Sequence, residues 1–199
     1  MTEPAMSTPD AMTPRALSDP PGGVLPWLVV ALELLTFAIV LVLVAVQRHS
    51  APAAFADGQQ ALDARFGLAL TLTLVTSGAL AAQGVHAFRL GRLASTRKWF
   101  FAAALLGIGF LIAKLIDFSA HAAAGHRLGA SDFWDAYVLA TGFHALHVLI
   151  GIALLLFVVV RLGGQRFEDE ETAIAGAALF WHLCDAVWFF LFPLFFARA

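Results

Sequence analysis

The chain has 199 residues, of which 60% are hydrophobic and only 13% charged, with a mean hydropathy of +0.82. A soluble domain carries about 25% charge, so a water-soluble globule is excluded. A net charge of −2 and a pI near 6.4 leave no polybasic footprint, and nucleic acid is not an expected partner.

Residues 1–23 are rich in Pro, Ala, Ser, Thr and Asp. No basic start precedes an apolar core there, so the segment does not read as a signal peptide. It is expected to be a disordered tail on the cytoplasmic side. From residue 24 onward the chain reads as one all-α membrane domain. Five apolar stretches follow, at 26–46, 66–88, 99–118, 134–160 and 173–196. Each reaches the ~20 residues needed to cross a hydrocarbon core of about 30 Å. Backbone polar groups in lipid must be satisfied internally, and runs this long without alternation do so as helices. The sequence therefore predicts an integral bundle of five transmembrane helices.

Basic residues set the orientation. Lys and Arg outside the spans number seven on the side of the N-terminus and four on the other. The densest group is Arg89, Arg92, Arg97 and Lys98. Positive residues stay inside, which predicts a cytoplasmic N-terminus and a C-terminus on the outer face of a bacterial plasma membrane. The third connection, at 119–133, is expected to be a polar outer loop, and the acidic run at 168–171 a solvated surface.

Ionisable residues inside spans are costly, and each is a functional hypothesis. They are Glu33, His86, Lys114, Asp117, His144, His147, His182 and Asp185. Glu33 lies roughly 10 Å into the first span at ~1.5 Å per residue, with no basic residue within a turn. Its expected partner is His86, which returns to a similar depth on the second span. Lys114 and Asp117 are three apart and share a helix face. They read as a self-neutralised pair at a helix end, with a subunit contact as the other reading. His144 and His147 lie three apart on the fourth span, and His182 and Asp185 three apart on the fifth. Antiparallel neighbours bring both pairs to one depth, where histidine and carboxylate make a natural partnership. The bland reading is an interhelical polar network. The sharper one is a haem or metal held by these histidines, which would make the chain an independent membrane cytochrome or metalloenzyme. Against it, there is no HExxH, CxxCH or Gly-rich phosphate loop. A proton-coupled carrier would need broken helices or inverted repeats, and neither is visible. Cys184 is the lone cysteine and reads as a small buried residue.

The strings themselves resemble a known family. Thr141-Gly142-Phe143-His144-Ala145-Leu146-His147 is similar to the Thr-Gly-Phe-His-Gly-Leu-His signature of subunit III of the haem–copper oxidases. Trp181-His182, followed by Asp185-Ala186-Val187-Trp188, resembles that family's last-helix segment. Glu33 before Leu34-Leu35-Thr36-Phe37 corresponds to its glutamate beside a lipid-lined cleft, and Ser77-Gly78 and His86 fit the next helix. The match runs in order from about Trp27 to the C-terminus. The chain looks like the short form that lacks the first two of seven helices. Lys114 and Asp117 fall where the mitochondrial type has Gln-x-x-Glu-Tyr, and a lysine there resembles the nitric-oxide-reductase-associated branch.

The resemblance implies a non-catalytic subunit with no catalytic residue, metal or other cofactor of its own. The haem and copper would sit in a partner, the catalytic oxidase subunit I or a nitric oxide reductase subunit. It implies bound phospholipid, support of proton uptake through Glu33 and His86, and a structural network of His144, His147, His182 and Asp185.

Overall fold

The computed structural model describes residues 23–162 and 169–197. The expected tail, apart from Gly23, and residues 163–168 lie outside the described residues. Among the described residues the elements are all helices: α1 (Val24–Ser50), α2 (Pro52–Ala61), α3 (Ala64–Arg89), α4 (Leu93–Ala123), α5 (Asp132–Arg161) and α6 (Glu170–Phe196). Five of the six are long and apolar enough to cross a membrane. The chain is thus a membrane helical bundle.

Two features differ from the hydropathy reading. α2 was not foreseen: at 10 residues, with Asp57, Gln59 and Gln60, it is too short and too polar to register as a span. Pro52 at its first turn suits a helix start, because the missing N–H has no partner there anyway. The spans also extend. α4 and α5 leave only residues 124–131 between them, a shorter connection than expected. Hydropathy marks the apolar part of a helix, whereas its polar ends continue into caps. Asp63, Ser131 and Asp169 cap α3, α5 and α6 by accepting the backbone N–H of Arg65, Trp134 and Thr172. At the other ends, side chains from neighbouring helices serve. Arg97 Nε donates to the Val159 carbonyl of α5 at 3.1 Å, and Gln59 Nε2 to the Leu194 carbonyl of α6 at 3.1 Å. Both carbonyls lie in last turns that lack helical partners.

α3, α4, α5 and α6 close a ring in which each packs on two neighbours. α1 lies outside the ring, against α6 and α5. Its buried residues are Val30, Phe37 and Val44. A step of seven gives one narrow seam, and the rest of α1 is exposed. α2 leans on α5 through Phe55, whose ring stands edge-on to Phe133 at 5.3 Å.

The ring closes tightly because small residues meet large ones. Trp181 of α6 is fully buried. A Cβ built at Gly107 of α4 would stand 2.5 Å from its indole, and one at Gly151 of α5 would stand 2.7 Å away. Both glycines are therefore the receiving surface for one ring. Lipid supplies no hydrophobic drive for helices to associate, so such close packing is a main source of cohesion. Gly109 and Gly142 have nothing within 4 Å of the same position. Overpacking a tight core costs about 1–3 kcal/mol. Gly107→Ala and Gly151→Ala should each lower the melting temperature in detergent, while Gly109→Ala and Gly142→Ala should leave it unchanged or raise it. Equal effects at all four sites would refute this account of the packing.

Candidate functional site

The intramembrane polar residues sort into three groups. The first joins α1 to the ring. His147 Nε2 lies 3.0 Å from Glu33 Oε2. His147 Nδ1 lies 2.9 Å from the Phe143 carbonyl one turn back. A carbonyl only accepts, so Nδ1 carries a proton and donates it. The contact between Nε2 and Oε2 then holds one proton, drawn either as imidazolium with carboxylate or as imidazole with carboxylic acid. Phe37 packs edge-on against the His147 ring at 4.9 Å and tilted against Phe143 at 5.0 Å, which fixes the imidazole in place. Glu33 thus pairs with α5 rather than with His86, as the sequence had suggested. His86 is exposed on α3, and α1 packs on α5 and α6.

The second group lies on α6 and its neighbours. His144 is fully buried. Its Nε2 donates to the Cys184 carbonyl at 3.1 Å. Rings of Phe110 and Trp188 surround it, and Nδ1 has no partner. His182 Nδ1 contacts Asp185 Oδ2 at 3.3 Å within α6. The histidine pair of α5 and the histidine–aspartate pair of α6 therefore do not meet side chain to side chain. His144 faces the α6 backbone, while His182 opens on a groove between α1 and α3. Asp185 presses into α3, where a Cβ at Gly78 would come within 2.0 Å of its Oδ2. Trp181 Nε1 donates to Ser77 Oγ at 3.1 Å, and Ser77 donates onward to the Ala103 carbonyl at 2.7 Å. Trp188 repeats the device on Thr71 Oγ1 at 2.9 Å, which donates to the Gly67 carbonyl.

The third group ties α4 to α5 near the 124–131 turn. Lys114 is buried with 1% exposure. Its Nζ donates to Asp117 Oδ2 at 2.8 Å and to the Tyr137 hydroxyl, which itself donates to Asp117 at 2.6 Å. His121 Nε2 reaches the other Asp117 oxygen at 3.3 Å. The ammonium also lies over the rings of Phe118 at 4.5 Å and Tyr137 at 4.2 Å. The spacing of Lys114 and Asp117 foretold their shared face. Tyr137 went unnoticed, although it lies seven residues before His144 on the same side of α5.

Among the described residues no three His, Cys, Asp or Glu side chains converge to hold a metal ion. The contacts that cross between helices are those of Glu33 with His147, of His144 with the Cys184 carbonyl, and of Lys114 and Asp117 with Tyr137. Lys114 inside a membrane helix is tolerable because Asp117 neutralises it. Removing one member of a buried pair costs about 3–5 kcal/mol, whereas replacing the pair with apolar groups is often neutral. Lys114→Met should therefore destabilise strongly, and Lys114→Met with Asp117→Leu should recover most of the loss in thermal unfolding. An additive double variant would show that the pair is not coupled.

Comparison with known proteins gives this geometry a family. Residues 56–198 match the family described as Cytochrome c oxidase subunit III. The chain is 31% identical over 137 residues to Cytochrome c oxidase subunit 3 of Corynebacterium diphtheriae, covering 68% of this chain and 67% of that protein. It is 28% identical over 178 residues to Probable cytochrome c oxidase subunit 3 of Nocardia farcinica, covering 88% and 87%. It is 31% identical over 124 residues to Quinol oxidase subunit 3 of Bacillus spizizenii, covering 62% and 61%. The family match begins after α1, so it includes the α3–α6 ring and both histidine signatures but not Glu33. With most of its length matched, the chain belongs to the cytochrome c oxidase subunit III family.

Proposed function

We propose that this chain is the non-catalytic subunit III of a respiratory haem–copper terminal oxidase, packed beside the catalytic subunit that holds the haem and copper. The use of the intramembrane histidines supports this reading most. His147 gives one nitrogen to a carbonyl and the other to Glu33. His144 gives its donor to a carbonyl and is closed in by aromatic rings. Both nitrogens of His147 are thus engaged, and the free Nδ1 of His144 lies among aromatic rings rather than opposite another histidine. The relatives named as cytochrome c and quinol oxidase subunits leave both electron donors open. A nitric oxide reductase partner rests on Lys114 alone and is the weaker reading.

The basic residues at 89–98 support an N-terminus on the cytoplasmic side. On that side Trp27, His86, Arg89 and His182 line a cavity of about 320 Å³ between α1, α3 and α6. Basic groups above an apolar floor suit a phospholipid headgroup, and this is the role we assign to His86. Glu33, with its side chain 29% exposed at the α1–α5 seam, is the group placed to bear on proton supply.

Two measurements test the proposal. The chain expressed with its catalytic partner should co-purify with it, and the chain expressed alone should show no Soret band. A stoichiometric haem in the isolated chain would instead favour the independent cytochrome. Glu33→Gln keeps shape and hydrogen bonding but cannot ionise. It should leave assembly intact and speed the loss of activity during sustained turnover, or slow turnover at high pH. Unchanged inactivation rates and pH profiles would reduce Glu33 to a packing residue.

A further inference from the structure

α3 meets its surroundings differently from the other membrane helices. It is the least apolar of the five. α6 comes next, but it is the most buried of them. α3 instead turns polar side chains outward. Ala69, Leu72, Thr76, Ala79, Gln83 and His86 are all exposed. They recur at alternating steps of three and four, the spacing of one continuous seam along a helix. The same steps reach the exposed Arg65 at one end and the exposed Leu90 at the other.

Two side chains on this seam lack partners. Gln83 and Thr76 make no hydrogen bond to any described residue. Thr36, Thr73 and Thr141, by contrast, return their hydroxyls to the carbonyl one turn back. Gln83 lies six residues before the end of α3, ~9 Å along the axis at 1.5 Å per residue. Its amide has two donors and an acceptor to satisfy. Lipid offers no partner for them, whereas a neighbouring helix does. Ala79, one turn from Gln83, lets a second backbone come close. Other exposed faces are built differently. α4 presents Phe101, Leu105 and Ile112, and α5 presents Leu139, Leu146 and Leu149. Those residues suit acyl chains.

Charge narrows the choice of neighbour. α3 contains no carboxylate, and the Asp63 that caps it accepts the Arg65 N–H. Arg65 stands on the seam at one end, and His86 and Arg89 make the other end basic. Two copies of the chain would insert the same way round. Their α3 helices would then run parallel and set Arg65 against Arg65, a like-charge contact that opposes pairing. A helix with hydrogen-bonding groups inside the membrane and carboxylates at its ends fits instead.

We infer that the 69–86 face of α3 docks a transmembrane helix of the catalytic subunit, one that presents a hydrogen-bonding side chain opposite Gln83 and acidic residues at its ends. The docking rests on the pairing with a catalytic subunit proposed above. It places that subunit on α3 rather than on α4 or α5.

The test uses the full chain co-expressed with its catalytic subunit. A photoreactive phenylalanine analogue replaces Leu72 on α3, Ile112 on α4 or Leu146 on α5, all of them exposed. Irradiation of the membranes should join the chain to the catalytic subunit from position 72 and not from 112 or 146. The complex is then purified in detergent, and the ratio of the two subunits is measured by mass spectrometry. Gln83→Leu should lower the share of complexes that keep the chain about threefold, the equivalent of one interhelical hydrogen bond. Ala79→Leu should lower it further by holding the two backbones apart. Both side chains are exposed, so the melting temperature of the chain alone should stay unchanged. Adducts with the catalytic subunit from 112 or 146 and none from 72 would overturn the docking face and leave the subunit III role standing. An adduct between two copies from position 72, or retention indifferent to both substitutions, would overturn it as well. Failure of the unsubstituted chain to co-purify with any oxidase subunit would instead overturn the proposed function itself.

Discussion

One indole holds the ring together. Trp181 on α6 donates its N–H to Ser77 on α3 and fits its faces against Gly107 on α4 and Gly151 on α5. Ser77 in turn donates a hydrogen bond to the Ala103 carbonyl of α4. All four ring helices therefore meet at one side chain with 0% exposure. In lipid this arrangement solves two problems at once. The indole N–H would be expensive to leave unpaired, and helices in lipid have no hydrophobic drive to associate, so close packing must supply the attraction. Trp188 applies the same solution about two turns further along α6, through Thr71. The hydroxyl suits this use because it accepts from the indole and donates to a carbonyl.

Polar side chains elsewhere follow the same constraint. α1 has few buried residues of its own, and the contact between Glu33 and His147 is its polar attachment to the ring. Lys114 reaches deep into α4, but its charge is met by Asp117 and its remaining surface by aromatic rings. Apart from His86, the charged and imidazole groups singled out in the sequence each contact another side chain or a backbone carbonyl. His86 and Arg89 at the end of α3, with His182 from the middle of α6, line one cavity, and Arg127 lines another at the 124–131 turn.

Much of this was legible in the sequence because depth and face are written in it. Five long apolar runs announced five helices. The three-residue spacing of Lys114 and Asp117, and of His182 and Asp185, put each pair on one face. Partner choice across helices was not legible. Glu33 could be placed at a depth, but which helix lay beside it depended on the packing order of the bundle, and α1 turned out to face α5 and α6 rather than α3. The α5 and α6 pairs were expected to meet at one depth, yet His144 bonds the α6 backbone while His182 contacts Asp185 on its own helix. Ser77 appeared among the family strings without a role, and Tyr137 went unweighted. Neither carries a charge that would have marked it as costly in lipid. α2 escaped because a ten-residue polar helix leaves no hydropathy signal.

The central claim is that the polar groups inside this bundle serve bonds between helices. A double-mutant cycle on Trp181→Phe and Ser77→Ala tests it most directly, read as unfolding free energy in detergent or bilayer. Phenylalanine keeps most of the ring while removing the N–H, and alanine removes its acceptor. The account predicts a coupling energy of about 0.6–1.7 kcal/mol, the range for interhelical hydrogen bonds in membranes. It also predicts unchanged turnover per assembled complex. A coupling of zero, or lost turnover at full stability, would contradict it.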